Sequence, residues 1–404
     1  MDVVFLSPVY PPEMRHYVRG LSEVGARVWG VGDSAETDLG ETAPHLAGYL
    51  RVPRLLDEAD VLQRTTAWLR GKDVQRVLTN WEILVVLAAR MREAWGVEGM
   101  NVETAIGFRD KDAMKRRVAA AGLRVPRARR ASTVAEVREA AEAIGFPLVV
   151  KPLAGAGSAD TYRVEDADAL EAVIARVGHV PVVSVEEFIE GEEFTYDTIC
   201  IGGKPVYENV AQYLPKPLEA RSEAWISPVI ITVRDLEQSF SQGGLELGRK
   251  VLSAMGMGDG FTHMEWFYTP AGEAVFGEIG ARPGGAHLVD QMNYTGDVDL
   301  FREWAQAVCW HRFESSTARH YNCAIVFKRA RGEGLIKRID GLGEYLDQYG
   351  AWVVEERLLR PGTPRRDWRK TLLSDGFIIL RHPEFEVAKG AAFAAATDIA
   401  MYAE

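Results

Sequence analysis

The segment FTHMEWFYTPAGEAVFGEIGARPGGAH, residues 261–287, restricts the fold more than any other stretch of this chain. Two runs of strand-forming residues flank Pro-Ala-Gly, a turn signal, and read as an antiparallel hairpin. A turn centred on Ala271–Gly272 sets Glu265 directly across from Glu278, and a register shift of two keeps both on one face. Alternation puts His263 on the face of Glu265, and Gly280 and Arg282 on that of Glu278. The other face carries Met264, Trp266, Phe276 and Ile279 and belongs in a core. Like charges opposed across a ladder are unfavourable unless a cation or a shared proton intervenes. Two readings stand at this point. The pair holds Mg²⁺ bridging a substrate phosphate, since all-oxygen donors suit that ion. Or the face is solvated, and Glu278 and Arg282 form an internal ion pair of little consequence.

A chain of 404 residues is too long for one ordinary core. Strand and helix alternate at the start: DVVFL (2–6), a helix after the proline-rich loop, ARVWGVGD, VQRVLTN (74–80), then a helix through WEILVVLAARMREAWG. That order predicts a parallel α/β layer, a Rossmann-like domain over 1–104, without the G-x-G-x-x-G of a dinucleotide site. Residues 105–189 form a second unit. The helix of RDKDAMKRRVAAAGL opens it, and a helix over TVAEVREAAEAIG follows, capped by Ser132 or Thr133 with Glu136 in the capping-box place. The strand FPLVVKPL comes next, then the small-residue loop AGAGSAD. From 190 to 404 strands dominate, with helical stretches near 297–311, 341–348 and 384–396.

Formal charge −11 argues against a general nucleic-acid or anionic-membrane surface. No apolar run is long enough for a membrane span, and the acid at position 2 with a short apolar run does not suit a signal peptide. Cys200, Cys309 and Cys323 lie in unrelated contexts and read as buried thiols in a reducing cytoplasm. A homodimer is the commonest assembly for such a chain.

Three further features bear on chemistry. Lys151 ends the strand FPLVVK beside Gly155, Gly157 and Ser158, whose backbone N–H groups can approach a phosphate closely. Lys115 sits on the DKDAMK helix, a place that otherwise suits an ordinary surface lysine. VEEFIEGEEF joins two lobes, offering backbone groups to a purine edge and Glu193 to ribose hydroxyls; a solvated acidic turn is its other reading.

Taken in order, DKDAMK, VVKP, GAGS, EEFIEGEEF, THMEW and EIGARPGG resemble the motif series of the ATP-grasp superfamily, over most of the chain. The resemblance implies ATP held between two α+β lobes, 105–189 and 190–404, with the N-terminal domain shaping the acceptor site. It implies that Lys115 and Lys151 neutralise the phosphates. Glu186, Glu187 and Ile189 line the adenine edge, Glu187 and Ile189 mainly through backbone groups, and Glu193 holds the ribose. It gives Glu265 and Glu278 the role of binding Mg²⁺ (or Mn²⁺), sets Arg282 on the γ-phosphate and the acyl phosphate formed from it, and makes His263 an assistant. One position departs from the pattern: Gly280 stands where many relatives have asparagine, leaving a metal position for water. The longer arginine motif of biotin-dependent carboxylases is missing after this strand. The implied activity is carboxylate–amine ligation with small-molecule acid and amine substrates. The rivals are a purine-biosynthesis type of ligase or carboxylase acting through carboxyphosphate, and a nucleotide-binding regulator without turnover.

Overall fold

The computed structural model describes residues 1–152, 161–371 and 373–404. Gly155, Gly157 and Ser158 of the glycine loop lie outside the described residues. Four parallel strands open the chain: β1 (Asp2–Leu6), β2 (Arg27–Gly32), β3 (Gly48–Arg51) and β4 (Val74–Leu78), in the order β3-β2-β1-β4. The order reverses at β1, which pairs with β2 on one side and β4 on the other. The crevice beyond the carboxyl ends of β1 and β4 is where parallel sheets place ligands.

A second sheet belongs to the small lobe: β5 (Ala128–Ala131), β6 (Leu148–Pro152), β7 (Tyr162–Val164) and β8 (Val183–Glu187), ordered β5-β8-β6-β7 and antiparallel throughout. Thr133 and Glu136 form the expected capping box of the helix Val134–Ile144. The large lobe is an eight-stranded antiparallel sheet. Its strands are β9 (Glu192–Ile201), β10 (Lys204–Leu214), β11 (Val229–Thr232), β12 (Gly260–Tyr268), β13 (Ala274–Gly280) and β14 (Asn322–Phe327), with two more near the end of the chain. A three-stranded sheet of β15 (Arg331–Gly332), β16 (Ile336–Asp340) and β19 (Ala400–Ala403) closes the tail, and β17 (Val353–Glu356) and β18 (Phe377–His382) complete the large sheet.

The sequence reading missed the longest helix, Ser239–Met255, because Gly243, Gly244 and Gly248 look like breakers. They are there for close approach. A Cβ at Gly244 would sit 2.1 Å from the Trp266 ring, and one at Gly248 2.3 Å from Tyr196. The helix thus lies directly on β9 and β12, burying Leu245, Val251 and Leu252 against Phe194, Tyr196, Met264 and Trp266. The expected helix near 297–311 is Leu300–Trp310, which Asp299 caps by accepting from Phe301 N and Arg302 N, and a further helix, Leu288–Gly296, precedes it.

The N-terminal layer is packed onto the large lobe. Tyr17 of the helix Met14–Glu23 meets Phe261, Phe301 and Trp304 edge-on, and Gly20 brings that helix onto the Phe301 carbonyl. The boundary expected between 104 and 105 falls inside the helix Val102–Arg109.

Candidate active site

The hairpin of β12 and β13 has the register that the turn implies: Glu265 faces Glu278 and His263 faces Gly280. Gly277 is an extra residue, a bulge between the Glu265–Glu278 and Trp266–Phe276 pairs. Any Cβ there would press on the Glu265 carbonyl at 2.8 Å, so glycine permits the bulge that keeps both carboxylates on one face. Neighbouring β9 sets Thr195 beside Glu265 and Asp197 beside His263. By alternation Glu193, Thr195 and Asp197 share that polar face, while Phe194 and Tyr196 point into the core.

Glu278 and Arg282 do not pair with each other. Lys111 Nζ lies 2.6 Å from Glu278 Oε2, and Arg282 Nε donates to Glu82 Oε2 at 2.8 Å. Arg282 Nη1 donates to the Pro283 carbonyl, and Glu82 also contacts Arg109. The bare position of Gly280 has a steric consequence, since a Cβ there would come within 3.2 Å of the Arg282 side-chain stem.

His263 stands behind the carboxylates rather than among them. Its Nδ1 is 2.6 Å from Asp197 Oδ1 and its Nε2 is 3.8 Å from Glu265 Oε1. Asp197 is fixed in turn by Thr195 and Asn209. Burial works against a charged imidazole, but Asp197 outweighs it and pushes the His263 pKa up to about 9. Burial alone would raise the Glu265 carboxyl; His263, Lys111 and Arg282 bring it down to about 2.

The two lysines arrive from different elements. Lys115 lies one turn after Lys111 on the helix Lys111–Ala120, whose Met114 and Val118 anchor it in the core under β13. Lys151 leaves β6 on the same face as Ser184 and Glu186 of β8. Glu186 sits between the lysines, 2.5 Å from Lys115 Nζ and 2.9 Å from Lys151 Nζ, and accepts from Ser184 Oγ. A carboxylate as buried as this one goes to the two buried cations, and in this structure Glu186 pairs with the lysines expected at the phosphates. Burial would raise Glu186, yet Lys151 and Lys115 hold it far below the usual carboxylate range. Burial, then Lys151, lowers Lys115 to about 8, whereas Lys151 is raised because Glu186 outweighs its burial. Lys115 Nζ is buried, with the Glu186 carboxylate as its ion-pair partner.

The Glu187 carboxylate binds Arg124 at 2.7 Å and Arg127, and its N–H donates to the Arg127 carbonyl. Ile189 is buried, in keeping with an apolar wall. Glu193 is buried, and burial with Glu265 nearby pushes its pKa up to about 8 against the pull of Lys216 and Lys151.

Three groups that serve this face were missed in the sequence. Lys111 occupies the first position of a helix, where the dipole disfavours a base, and that anomaly is the signal. Glu82 follows β4 at the carboxyl edge of the parallel sheet, the place where ligand-facing residues gather. Asp197 completes a period-two acidic series with Glu193 in EEFTYDTICI. Among the described residues no group of three or more His, Cys, Asp or Glu side chains is arranged to hold a metal. The donors at hand are two facing carboxylates, which fit a divalent hard cation whose other ligands are phosphate and water oxygens. The Lys115 and Lys151 ammoniums, two cations sharing one carboxylate, fit a phosphate.

Comparison with known proteins agrees with this arrangement. Residues 116–289 match the ATP-grasp domain family. The chain is 27% identical over 232 residues to an L-arginine-specific L-amino acid ligase of Bacillus subtilis, covering 56% of this chain and 55% of that protein. It is 24% identical over 257 residues to an alanine–anticapsin ligase of Bacillus subtilis, covering 59% and 54%. The chain thus spans about half the length of these curated relatives. Among solved structures, an L-amino acid ligase from Bacillus licheniformis superposes with TM-score 0.79 at 21% identity over 100% of this chain and 98% of that one. An N5-carboxyaminoimidazole ribonucleotide synthetase from Thermotoga maritima gives 0.71 at 18%, covering 100% and 99%. Residues 116–289 thus match an ATP-grasp domain, and the proteins that this chain is similar to include L-amino acid ligases.

Proposed function

We propose that this protein is an ATP- and Mg²⁺-dependent ligase that joins two small amino-acid-like substrates by an amide bond. The observation that carries the reading is convergence. A helix, two strand ends and a hairpin bring Lys115, Lys151, Glu265, Glu278 and Arg282 to one partly buried polar face. Mg²⁺ bound to Glu265 and Glu278 would offset phosphate charge and orient the terminal phosphate. Lys115 and Lys151 bind the phosphates as point charges, and Arg282 meets the transferring group.

The substrate carboxylate attacks the γ-phosphorus, the bond to the β-phosphate oxygen breaks, and ADP departs with that electron pair. The amine of the second substrate then attacks the acyl carbon, phosphate leaves, and the amine gives up a proton. The chain's part is positioning and fixed charge, which is where such reactions gain most. Glu193 would accept from ribose hydroxyls, and the buried Ile189 would pack on the base.

The test is a phosphate-release screen with ATP and Mg²⁺, offering amino acids singly and in pairs and bicarbonate in a separate arm. Release that requires two amino acids, with the dipeptide found by mass spectrometry, supports the reading. Release driven by bicarbonate alone means carboxyphosphate chemistry. Binding of ATP with no ADP under any pairing means a regulator.

A further inference from the structure

A second charged site lies in the C-terminal part, away from the hairpin. Arg329 is more than nine-tenths buried, yet its Nε has no hydrogen-bond partner among the described residues. Its guanidinium lies 4.2 Å from the centre of the Trp368 ring, and that of Arg369 lies 4.9 Å from the same ring. Trp368, Arg365, Arg366, Arg369, Asp367, Glu333 and Gly334 line a cavity of about 260 Å³.

The acids nearby are already engaged. Glu333 and Asp375 pair with Arg365, and Asp367 pairs with Lys370. Arg366 spends one nitrogen on the Ser374 carbonyl. Burial and the neighbouring Arg221 hold Arg329 down at about 10, with Asp375 pulling the other way. Three arginines against two acids leave the cavity wall with an excess of positive charge, which an anion would offset.

The cluster also touches the segment between β10 and β11. Arg329 Nη1 donates to the carbonyls of Ala220 and Glu223, at 2.7 and 2.8 Å, where the short helix Pro217–Ser222 ends. The end of β10 that leads into it reaches the candidate active site, for Tyr213 Oη lies 3.4 Å from Glu265 Oε1, and Lys216 at the start of the segment acts on Glu193. This stretch therefore links the two places.

We propose that Arg365, Arg366 and Arg369, with Trp368, form a binding site for a phosphate group, free or carried by a small phosphomonoester, and that its occupancy, passed through the stack of Trp368 on Arg329, steadies residues 216–225. Guanidinium forks match the geometry of phosphate oxygens, and the cavity has room for the group with a small organic body. The anion would hold Trp368 in place and so steady Arg329 on the Ala220 and Glu223 carbonyls. Nothing in this inference requires ATP turnover, and it stands or falls apart from the ligase reading.

The experiment is hydrogen exchange on the full chain with inorganic phosphate, glycerol 3-phosphate, or chloride at equal ionic strength. The expected result is protection of both 363–370 and 216–225 by at least one of the two phosphates and by chloride in neither segment. The arm that protects at lower concentration identifies the source. The exposed pair Arg366→Ala/Arg369→Ala should weaken that protection at least tenfold in half-saturating concentration. A thermal melt like that of the parent would show that the variant is folded, and Arg369→Ser alone serves if it is not. Equal protection in variant and parent, protection by chloride, or protection in neither segment overturns the proposal. So does protection of 363–370 without 216–225, since the bridge is part of the claim.

Discussion

Glu186 shows how much one side chain decides here. Removing its charge leaves Lys115 and Lys151 buried side by side without their shared partner, which typically costs about 3–5 kcal/mol. Glu186→Gln is therefore expected to melt well below the parent, and Mg-ATP should raise its melting temperature by more than it raises the parent's. Equal nucleotide shifts in the two proteins would separate the lysines from the phosphates. Glu278→Gln and Arg282→Ala should differ in kind. Glu278→Gln loses the Lys111 ion pair but relieves repulsion from Glu265, so the metal-free melt should move little while turnover falls at least about a hundredfold. Arg282→Ala should bind ATP nearly as the parent does in calorimetry and lose turnover, because its charge matters most as the phosphoryl group transfers. The facing carboxylates were legible in the hairpin pattern, and the lysines and Arg282 through the resemblance of the ordered motifs. Lys111 and Glu82, and the place of Glu186 between the lysines, were not, because a pair such as Arg282 with Glu82 joins positions two hundred residues apart that no local pattern connects.

At the scale of elements, the glycines were the hardest residues to read. A strand or helix signal weakens at each one, yet Gly244, Gly248 and Gly277 mark places where two backbones or a ring must come close. Gly248→Ala tests this. Helix propensity favours alanine by about 1 kcal/mol, but a methyl 2.3 Å from Tyr196 must lift the helix from β9 and costs about 1–3 kcal/mol or more. The expected result in chemical denaturation is net destabilisation. A gain in stability would mean that the helix has slack against the sheet. The hairpin was readable because turn chemistry and alternation agree there, whereas Ser239–Met255 was lost because local propensity and tertiary packing disagree.

For the whole molecule, buried cations tune stability with pH. Lys328 is buried and donates to the carbonyls of Ala395 and Ala396 at the end of the last helix; burial, then Arg331, lowers it to about 8. Its folded pKa lies below the unfolded one, so the unfolded chain holds more protons between about pH 8 and 10.5, and this group makes stability rise with pH across that window. Lys328→Met should remove that rise: its deficit against the parent should widen from pH 8 to 10.5, by about 3 kcal/mol at most. A constant deficit would mean that the ammonium titrates as in water. The alternation of strands and helices made the N-terminal layer recognisable, but its seating on the large lobe through Tyr17, Gly20 and Glu82 was invisible, since packing between distant segments leaves no period in a sequence. The Glu82–Arg282 contact has a practical side. Grafting a foreign N-terminal layer onto this scaffold, as one would to recruit new substrates, also replaces the carboxylate that aims the arginine. A chimera keeps its reactive geometry only if the incoming layer supplies an acid at the end of its fourth strand.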